Sequence, residues 1–226
     1  MNWFPKASSK RQRALSVARE LYLAGSGSFA LEVIEFTNAA GFEVEALIEP
    51  IDPSRVGSTV HGFDVLAMTP PPSADARFVV AVGSNRAAIA AELAASGWVA
   101  TSVVHPSAVI SESATLGEGV VVGPLVVVGA ASEIGSHSLL GRGALVGHHT
   151  TLGSGTVVNP GANIAGLVTG GSELTVGMGA SVANGLSLGD RAVIAAGAVV
   201  VRDVDTGSRV QGVPARVFLT ETGVGQ

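Results

Sequence analysis

Residues 121–153 read VVGPLVVVGAASEIGSHSLLGRGALVGHHTTLG, with an aliphatic side chain at every sixth position. The same period extends from Val104 to Val200 and is interrupted only at Gly170. A six-residue period is typical of a parallel β-helix, and no amphipathic α-helix repeats at that spacing. If three such hexads make one coil, residues eighteen apart stack on one another. The sequence therefore predicts a three-sided prism built from short β-strands.

The residues around each aliphatic position support the same architecture. Glycine follows the aliphatic residue in most repeats, where the chain has to turn tightly. The residue four positions after the aliphatic one is usually Ala, Ser or Thr. One large and one small side chain per hexad fit a narrow prism whose interior is closely packed. We expect the stack to be weakened locally at Gly170, where the large side chain is missing.

Composition limits the partners that the chain can have. The 226 residues are 47% hydrophobic and carry a formal net charge of -5, with a pI near 5.5. An acidic chain disfavours a general surface for nucleic acid or for anionic membranes. The absence of cysteine excludes disulfides, thiolate nucleophiles and cysteine metal sites, and it fits a cytoplasmic protein.

The first nineteen residues are basic, but no apolar run of signal-peptide length follows their charges. No other stretch reaches the roughly 18 apolar residues of a membrane span. We therefore interpret residues 1–19 as a basic lead-in and expect no membrane interaction.

Residues 20–100 follow a pattern different from that of the repeats. They contain predicted strands at 21–24, 44–48, 63–68 and 78–82 and predicted helices at 30–40 and 85–95. A strand, a glycine loop, a helix and a second strand make the opening of a βαβ unit. The predicted fold is a Rossmann-like α/β domain at 20–100, followed by an all-β parallel β-helix at 101–218 and a tail at 219–226.

The loop Gly25-Ser26-Gly27 joins the first predicted strand to the first predicted helix. Backbone N–H groups of such a loop and the helix N-terminus can cradle a phosphate, so Gly25, Gly27 and Ser28 are candidate contacts for a nucleotide or nucleotide sugar. A tight βα turn is the alternative reading, since Ala30 stands where a dinucleotide fingerprint has its third glycine.

Three polar residues near other predicted strand ends are further candidates for substrate binding. Asp52 follows the second strand, where a ribose or uracil contact can fall, although most such aspartates only stabilise turns. Ser84 and Asn85 follow Gly83, where a predicted strand, a glycine and a helix N-cap again come in succession. Here too, the alternative is that these residues only form a turn.

The adjacent histidines His148 and His149 occupy the second and third positions after the aliphatic residue Val146, where side chains leave the core at a corner. In the eighteen-residue register His148 shares its column with Gly166 and Asn184, which predicts a groove with an imidazole, a bare backbone and an amide. Histidine is suited to take a proton from an amine or a hydroxyl near neutral pH. A surface turn is the alternative.

A metal site shared between subunits is a weaker possibility. It needs three convergent ligands, and His137 is eleven residues from His148, which is not a multiple of the coil. We therefore expect no metal within one chain.

The run Leu145-Val-Gly-His-His-Thr-Thr-Leu-Gly153, followed by Asn159-Pro-Gly-Ala-Asn-Ile-Ala-Gly166, resembles the left-handed β-helix acyltransferases. More narrowly, the chain is similar to the NeuD/PglD-like sugar acetyltransferases. Three further segments carry the same likeness in the family's order: Phe78-Val-Val-Ala-Val-Gly-Ser-Asn85, Val104-His-Pro-Ser-Ala108 and Gly212-Val-Pro-Ala-Arg216. The Gly25-Ser-Gly-Ser-Phe29 loop belongs to it as well.

This resemblance implies a nucleotide-sugar-binding N-terminal domain, a left-handed prism and a homotrimer whose active sites lie between adjacent prisms. It also implies acetyl transfer from acetyl-CoA to an amino or hydroxyl group of a sugar. By position, His148 matches the family's general base. Asn159, Gly166 and Met178 match residues that line the acetyl-CoA cleft, and Asn184 lies nearby.

Two positions depart from the family pattern. The base histidine is usually followed by Glu or Asp, whereas His149 follows it here. In the family, the N-terminal glycine loop often carries a histidine near the sugar, whereas Ser28 occupies that position here. Transfer to an amino group of a nucleotide-linked sugar is therefore the first hypothesis. Transfer to a hydroxyl of a sugar or a sialic acid and a catalytically weak trimeric scaffold are the alternatives.

Overall fold

Residues 20–219 are described by a computed structural model, and they form a small α/β domain followed by a three-sided parallel β-helix. The predicted basic lead-in at 1–19 lies outside the described residues, and so does the predicted tail at 219–226 apart from its first residue, Leu219.

The N-terminal domain is one sheet with a helix on each side. Its elements are β1 (Glu20–Ala24), α1 (Ser28–Ala39), β2 (Glu43–Ile48), a 3₁₀ turn (Pro53–Arg55), β3 (Thr59–Val60), β4 (Phe63–Leu66), β5 (Arg77–Val80), α2 (Arg86–Ala95) and β6 (Val99–Ala100). The sheet order is β3-β4-β2-β1-β5-β6, and only the β3–β4 hairpin is antiparallel. Within residues 20–219 neither helix has the length and apolarity that a membrane crossing requires.

The predicted elements of this domain are present with shifted ends. Helix α1 begins at Ser28, two residues before the predicted start, and the strands predicted at 63–68 and 78–82 end earlier. The short strand β3 and the 3₁₀ turn were not predicted, because two- and three-residue elements carry no periodic signal.

The β-helix has three faces, each made by strands from successive coils. Face 1 contains β7 (Val103–Val104), β10 (Val121–Val122), β13 (Leu139–Leu140), β16 (Val157–Val158), β19 (Thr175–Val176), β22 (Val193–Ile194), β24 (Arg209–Gln211) and β25 (Arg216–Leu219). Face 2 contains β8 (Val109–Ile110), β11 (Val127–Val128), β14 (Leu145–Val146), β17 (Asn163–Ile164), β20 (Ser181–Val182) and β23 (Val199–Val200). Face 3 contains β9 (Thr115–Leu116), β12 (Glu133–Ile134), β15 (Thr151–Leu152), β18 (Thr169–Gly170) and β21 (Ser187–Leu188).

Pairing between coils confirms the eighteen-residue register. Val128 of β11 lies beside Val146 of β14, which in turn lies beside Ile164 of β17. The aliphatic residues at every sixth position point inward and are buried from Val122 to Val200. We name the corners after one residue each: the Met178 corner between faces 1 and 2, the His148 corner between faces 2 and 3, and the His137 corner between faces 3 and 1.

Gly170 does not create the weak point that the sequence pattern predicts. Leu174, four positions later, is large where most repeats have a small residue, and it is fully buried. A Cβ on Gly170 would lie 2.8 Å from Cδ2 of Leu174 and 2.9 Å from Cδ2 of Leu152. The prediction of a local gap is therefore wrong, because these two leucines fill the space that the missing side chain leaves.

The N-terminal domain is packed against face 1. Helix α1 lies between its own sheet and the outward side chains of β7, β10, β13 and β16, with which it shares one buried apolar cluster. Its residue Glu32 also pairs with Arg142 at the Met178 corner, with Oε1 2.5 Å from Nη1. The two domains are therefore joined through a common core along one side of the prism.

Candidate active site

His148 and His149 lie at the corner between faces 2 and 3, and both side chains are exposed. The ladder between coils holds their backbone in place: Leu167 N–H donates to His148 C=O at 2.8 Å, and His149 N–H donates to Ala130 C=O at 2.8 Å. The two rings are nearly perpendicular, with an interplanar angle of 85°, and their Nδ1 atoms are 3.1 Å apart.

The imidazole of His148 rests on the backbone of Gly166, one coil further along. A Cβ on Gly166 would lie 2.8 Å from both Cε1 and Nε2 of His148. Within residues 20–219 the Gly166 N–H has no protein acceptor, while its C=O accepts from Gly185 N–H at 3.0 Å. The corner therefore combines an exposed imidazole with a nearby backbone N–H that has no acceptor in the described part of the chain.

The remaining predicted acetyl-CoA contacts fall into two groups. Asn184 is exposed at the same corner, one coil beyond Gly166. Met178, at 58% exposure, and Asn159, whose Nδ2 donates to Val176 C=O at 3.0 Å, lie at the Met178 corner. Within one chain these two residues are separated from His148 by the width of face 2.

A pocket of about 190 Å³ opens at the carboxyl ends of β1 and β2 in the N-terminal domain. Its lining includes the predicted residues Gly25, Gly27 and Asp52, and also Ser26, Glu49, Ile51, Arg55 and Val82. Gly25 has φ +144°, and a Cβ there would come within 2.8 Å of Ala81 C=O. Only glycine therefore fits the bottom of this loop.

Glu49 organises the pocket. It directly follows β2, and its carboxylate accepts hydrogen bonds from Ser26 Oγ, from Ile51 N–H at 2.7 Å and from Asp52 N–H at 2.8 Å. Burial raises the pKa of Glu49, but these hydrogen bonds outweigh burial, so its pKa lies below the ordinary value. The carboxylate stays ionised and ties the glycine loop to the turn after β2.

Arg55 brings a positive charge to the pocket. Its Nη1 donates to Ser26 C=O at 3.0 Å, and its Nε lies 3.5 Å from Oδ2 of Asp52. Asp52 also accepts from Ser54 N–H and Ser54 Oγ, and these bonds lower the pKa of Asp52. Glu49 and Arg55 were not among the residues predicted from the sequence, although an acidic residue just after the second strand of a βαβ unit, as Glu49 is, signals such a site.

The other predicted substrate contacts do not line this pocket. Ser28 is the first residue of α1, directly after the lining residue Gly27. Ser84 lies in the loop before α2, and Asn85 precedes α2 with φ +52° and no side-chain capping hydrogen bond. Contact between these three residues and a ligand stays a prediction.

His137 lies at a different corner from His148 and is packed under the N-terminal domain. Its ring stacks on Phe78 with 6.4 Å between centroids, and its C=O accepts from Arg86 Nε at 2.6 Å. Arg86 is fully buried and has no carboxylate partner among residues 20–219, and this burial lowers its pKa to about 9. These contacts hold the two domains together, and no group of metal-binding side chains occurs within residues 20–219.

The pocket and His148 lie on opposite sides of the same chain. The domain that carries the pocket covers face 1, whereas His148 lies at the corner opposite that face. The prism therefore separates the two groups within one molecule.

No protein-family model matches the sequence, and no curated protein sequence matches it. Solved structures do match. PerB from Caulobacter crescentus, in complex with CoA and GDP-perosamine, is 32% identical, with 88% of this chain and 96% of that chain covered and a TM-score of 0.79. The acetyltransferase domain of PglB from Neisseria gonorrhoeae, in complex with acetyl coenzyme A, is 30% identical, with 88% and 98% covered and a TM-score of 0.80. WeeI from Acinetobacter baumannii, 23% identical over 88% and 99% of the chains with a TM-score of 0.80, shares the fold.

Proposed function

Because the chain belongs to the family of left-handed β-helix sugar N-acetyltransferases, we propose that it transfers the acetyl group of acetyl-CoA to an amino group of a nucleotide-linked sugar. The observation that carries this proposal is the exposed imidazole of His148 above the bare backbone of Gly166. Acetyl-CoA and a nucleotide-linked amino sugar are the ligand types bound by the similar structures.

His148 acts as the general base in this proposal. Its Nε2 takes a proton from the acceptor amine as the nitrogen attacks the acetyl carbonyl, a role that typically accounts for about 10²- to 10⁴-fold in rate. The Gly166 N–H, which has no protein acceptor within residues 20–219, holds the oxyanion that develops on the carbonyl oxygen. The carbon–sulfur bond then breaks, and the proton passes from His148 to the CoA sulfur.

The N-terminal pocket holds the nucleotide portion of the acceptor. Arg55 supplies a cation, and the backbone N–H groups of Ser26 and Gly27 supply donors at the start of α1, which together suit a diphosphate; the Gly25 N–H already donates to Ile48 C=O at 2.8 Å. Glu49 keeps this loop in place through its hydrogen bonds to Ser26 and the turn after β2. Asp52 lies beside Arg55, with Oδ2 3.5 Å from Nε, and favours its position at the pocket.

One complete active site is formed by two copies of the chain, because the pocket and His148 of one copy lie on opposite sides of the prism. Face 2 supports this arrangement, since its outward residues Val109, Val127 and Leu145 are exposed and apolar next to the His148 corner. A homotrimer of prisms covers these side chains. It also lets Asn159 and Met178 of one copy meet Gly166 and Asn184 of the next along bound acetyl-CoA.

Turnover of a defined acceptor tests the proposal. The chain is incubated with acetyl-CoA and a panel of nucleotide-linked amino sugars, with the matching hydroxy sugars and free sialic acid as separate arms, and mass spectrometry detects an added acetyl group. We expect acetylation of an amino sugar by the wild type, loss of about 10²-fold or more in His148→Ala, and no change in His61→Ala, which replaces an exposed histidine of the N-terminal hairpin. Acetylation of only the hydroxy sugars would contradict N-acetyl transfer.

Mixed oligomers test whether two copies build each site. Chains carrying His148→Ala are co-expressed with chains carrying Arg55→Glu, which repels a diphosphate. If base and pocket come from different copies, random mixing restores about one quarter of wild-type activity on statistical grounds, although each pure variant is inactive. An inactive mixture that contains verified mixed oligomers would contradict the shared site.

A further inference from the structure

The imidazoles of His148 and His149 form a hydrogen-bonded pair whose protonation pattern is restricted by geometry. Their Nδ1 atoms are 3.1 Å apart, so one of them carries a hydrogen and the other offers a lone pair. His149 has φ +55°, the left-handed conformation of the equivalent position in other turns, where glycines such as Gly161 and larger residues such as Leu167 both occur. The turn itself accepts many residue types, and what distinguishes His149 is the contact of its Nδ1 with Nδ1 of His148.

Only one of the two possible arrangements leaves His148 with a basic Nε2. When His148 Nδ1–H donates to His149 Nδ1, the lone pair of a neutral His148 is on Nε2, the nitrogen that lies above Gly166. In the opposite arrangement His149 Nδ1–H donates, and a neutral His148 carries its hydrogen on Nε2. That nitrogen cannot then accept a proton.

We propose that His149 is a positioning residue that accepts the Nδ1–H of His148 and thereby keeps the lone pair of His148 on Nε2, facing the acceptor amine. The proposal rests on the general-base role of His148 in the proposed function. His149 carries its own proton on Nε2 and keeps it throughout the reaction. The proton from the amine enters at His148 Nε2 and leaves from the same atom to the CoA sulfur, so neither ring has to change tautomer during turnover.

The chain offers a matched set of variants for this role. In asparagine the Oδ1 atom occupies the place of histidine Nδ1 and is an acceptor, and asparagine also tolerates a positive φ. His149→Asn therefore keeps the hydrogen bond, whereas His149→Gly keeps only the backbone conformation. His61→Gly is the control, because His61 is also an exposed histidine with a positive φ of 52°.

Steady-state kinetics give the first readout. We expect His149→Gly to lower kcat on the order of 10- to 100-fold, as loss of the outer partner of a working histidine does in metal sites, with the KM for both substrates nearly unchanged. His149→Asn is expected to stay within about threefold of the wild type, and His61→Gly to match it. Equal kcat for His149→Gly and the wild type, while His148→Ala is inactive, would overturn the positioning role and leave the proposed function intact.

Nitrogen-15 NMR of the protein labelled at its five histidines reads the tautomer without any turnover. At a pH where the pair is neutral, His148 is expected to carry hydrogen on Nδ1 and a lone pair on Nε2 in the wild type and in His149→Asn, and to exchange between tautomers in His149→Gly. A hydrogen on Nε2 of His148 in the wild type would overturn the inference. Full turnover by His148→Ala would remove the general-base role, whereas the spectrum would still decide whether the pair exists as described.

Discussion

The His148 imidazole lies directly over the α-carbon of Gly166, so closely that an added Cβ would meet Cε1 and Nε2 at 2.8 Å. The atoms in the way belong to the end of an exposed side chain, which can rotate aside at little cost to the fold. We expect Gly166→Ala to lower kcat by about 10²-fold or more, since it would displace the imidazole that we propose as the general base. The melting temperature should change little.

Gly147→Ala is the contrasting variant for that prediction. A Cβ on Gly147 would run into the backbone of Ala165 and Gly166, which cannot move without breaking the ladder between coils. We expect this variant to be strongly destabilised, with a melting temperature well below that of Gly166→Ala. Equal melting temperatures for the two variants would contradict the distinction between side-chain and backbone obstruction.

In most hexads the residue at the sixth position is large and the residue four positions later is small. Gly170 and Leu174 reverse this order. Leu174→Ala should lower the free energy of unfolding by about 2–5 kcal/mol because it opens a cavity in the core. Gly170→Val alone should destabilise through overlap with Leu174 and Leu152 by about 1–3 kcal/mol. In the double variant the new valine occupies the vacated space, so the loss should be smaller than the sum. Denaturant unfolding at one fixed protein concentration measures all three.

His137 makes the stability depend on pH. Burial lowers the pKa of His137 in the folded chain, Arg86 lowers it further, and Glu118 opposes both. The unfolded chain therefore binds the proton more tightly, so the contribution of His137 is complete above a pH of about 6.5 and is lost as the pH falls through the folded-state pKa. We expect the melting temperature of the wild type to fall more steeply below that pH than that of His137→Asn. Parallel pH curves for the two proteins would contradict this.

Replacing Arg55 should change the KM for only one of the two substrates. A charge-assisted hydrogen bond to a diphosphate contributes about 1.5–3 kcal/mol, so Arg55→Ala should raise the KM for the nucleotide sugar by about 10- to 100-fold. The KM for acetyl-CoA should not change, because the pocket is in the N-terminal domain. Arg77→Ala is the control, since Arg77 lies at the start of β5 and donates to the nearby carbonyls of Ala74 and Ala76. A similar KM increase in the control would indicate a general loss of structure.

The position of the histidine pair was predictable because it depends on a local period. Once the aliphatic residues are counted in sixes, His148 must leave the core at a corner, and Gly166 must lie eighteen residues on in the same column. The glycine loop after β1 was recognisable for a similar reason, since strand, turn and helix are adjacent in sequence. The contact between Nδ1 of His148 and Nδ1 of His149 was not predictable, because it depends on the rotamers of both rings.

The contacts around the pocket and between the domains could not be predicted from a sequence period. Glu49 and Ser26 are 23 positions apart, and their hydrogen bond forms only after β1 and β2 pair. The link between Arg86 and His137 spans 51 positions and two domains. None of these contacts follows a period, so no count along the chain predicts them.

The sequence alone determined the coil, its eighteen-residue register and the corner at which His148 lies, because every turn repeats the same short-range requirement for one large inward residue and a tight bend. Only the tertiary structure decided that α1 is packed against face 1, which puts the pocket of the N-terminal domain on the side of the prism away from His148. That choice depends on which apolar side chains of β7, β10, β13 and β16 remain uncovered after the coil has formed. It is therefore a property of the folded surface.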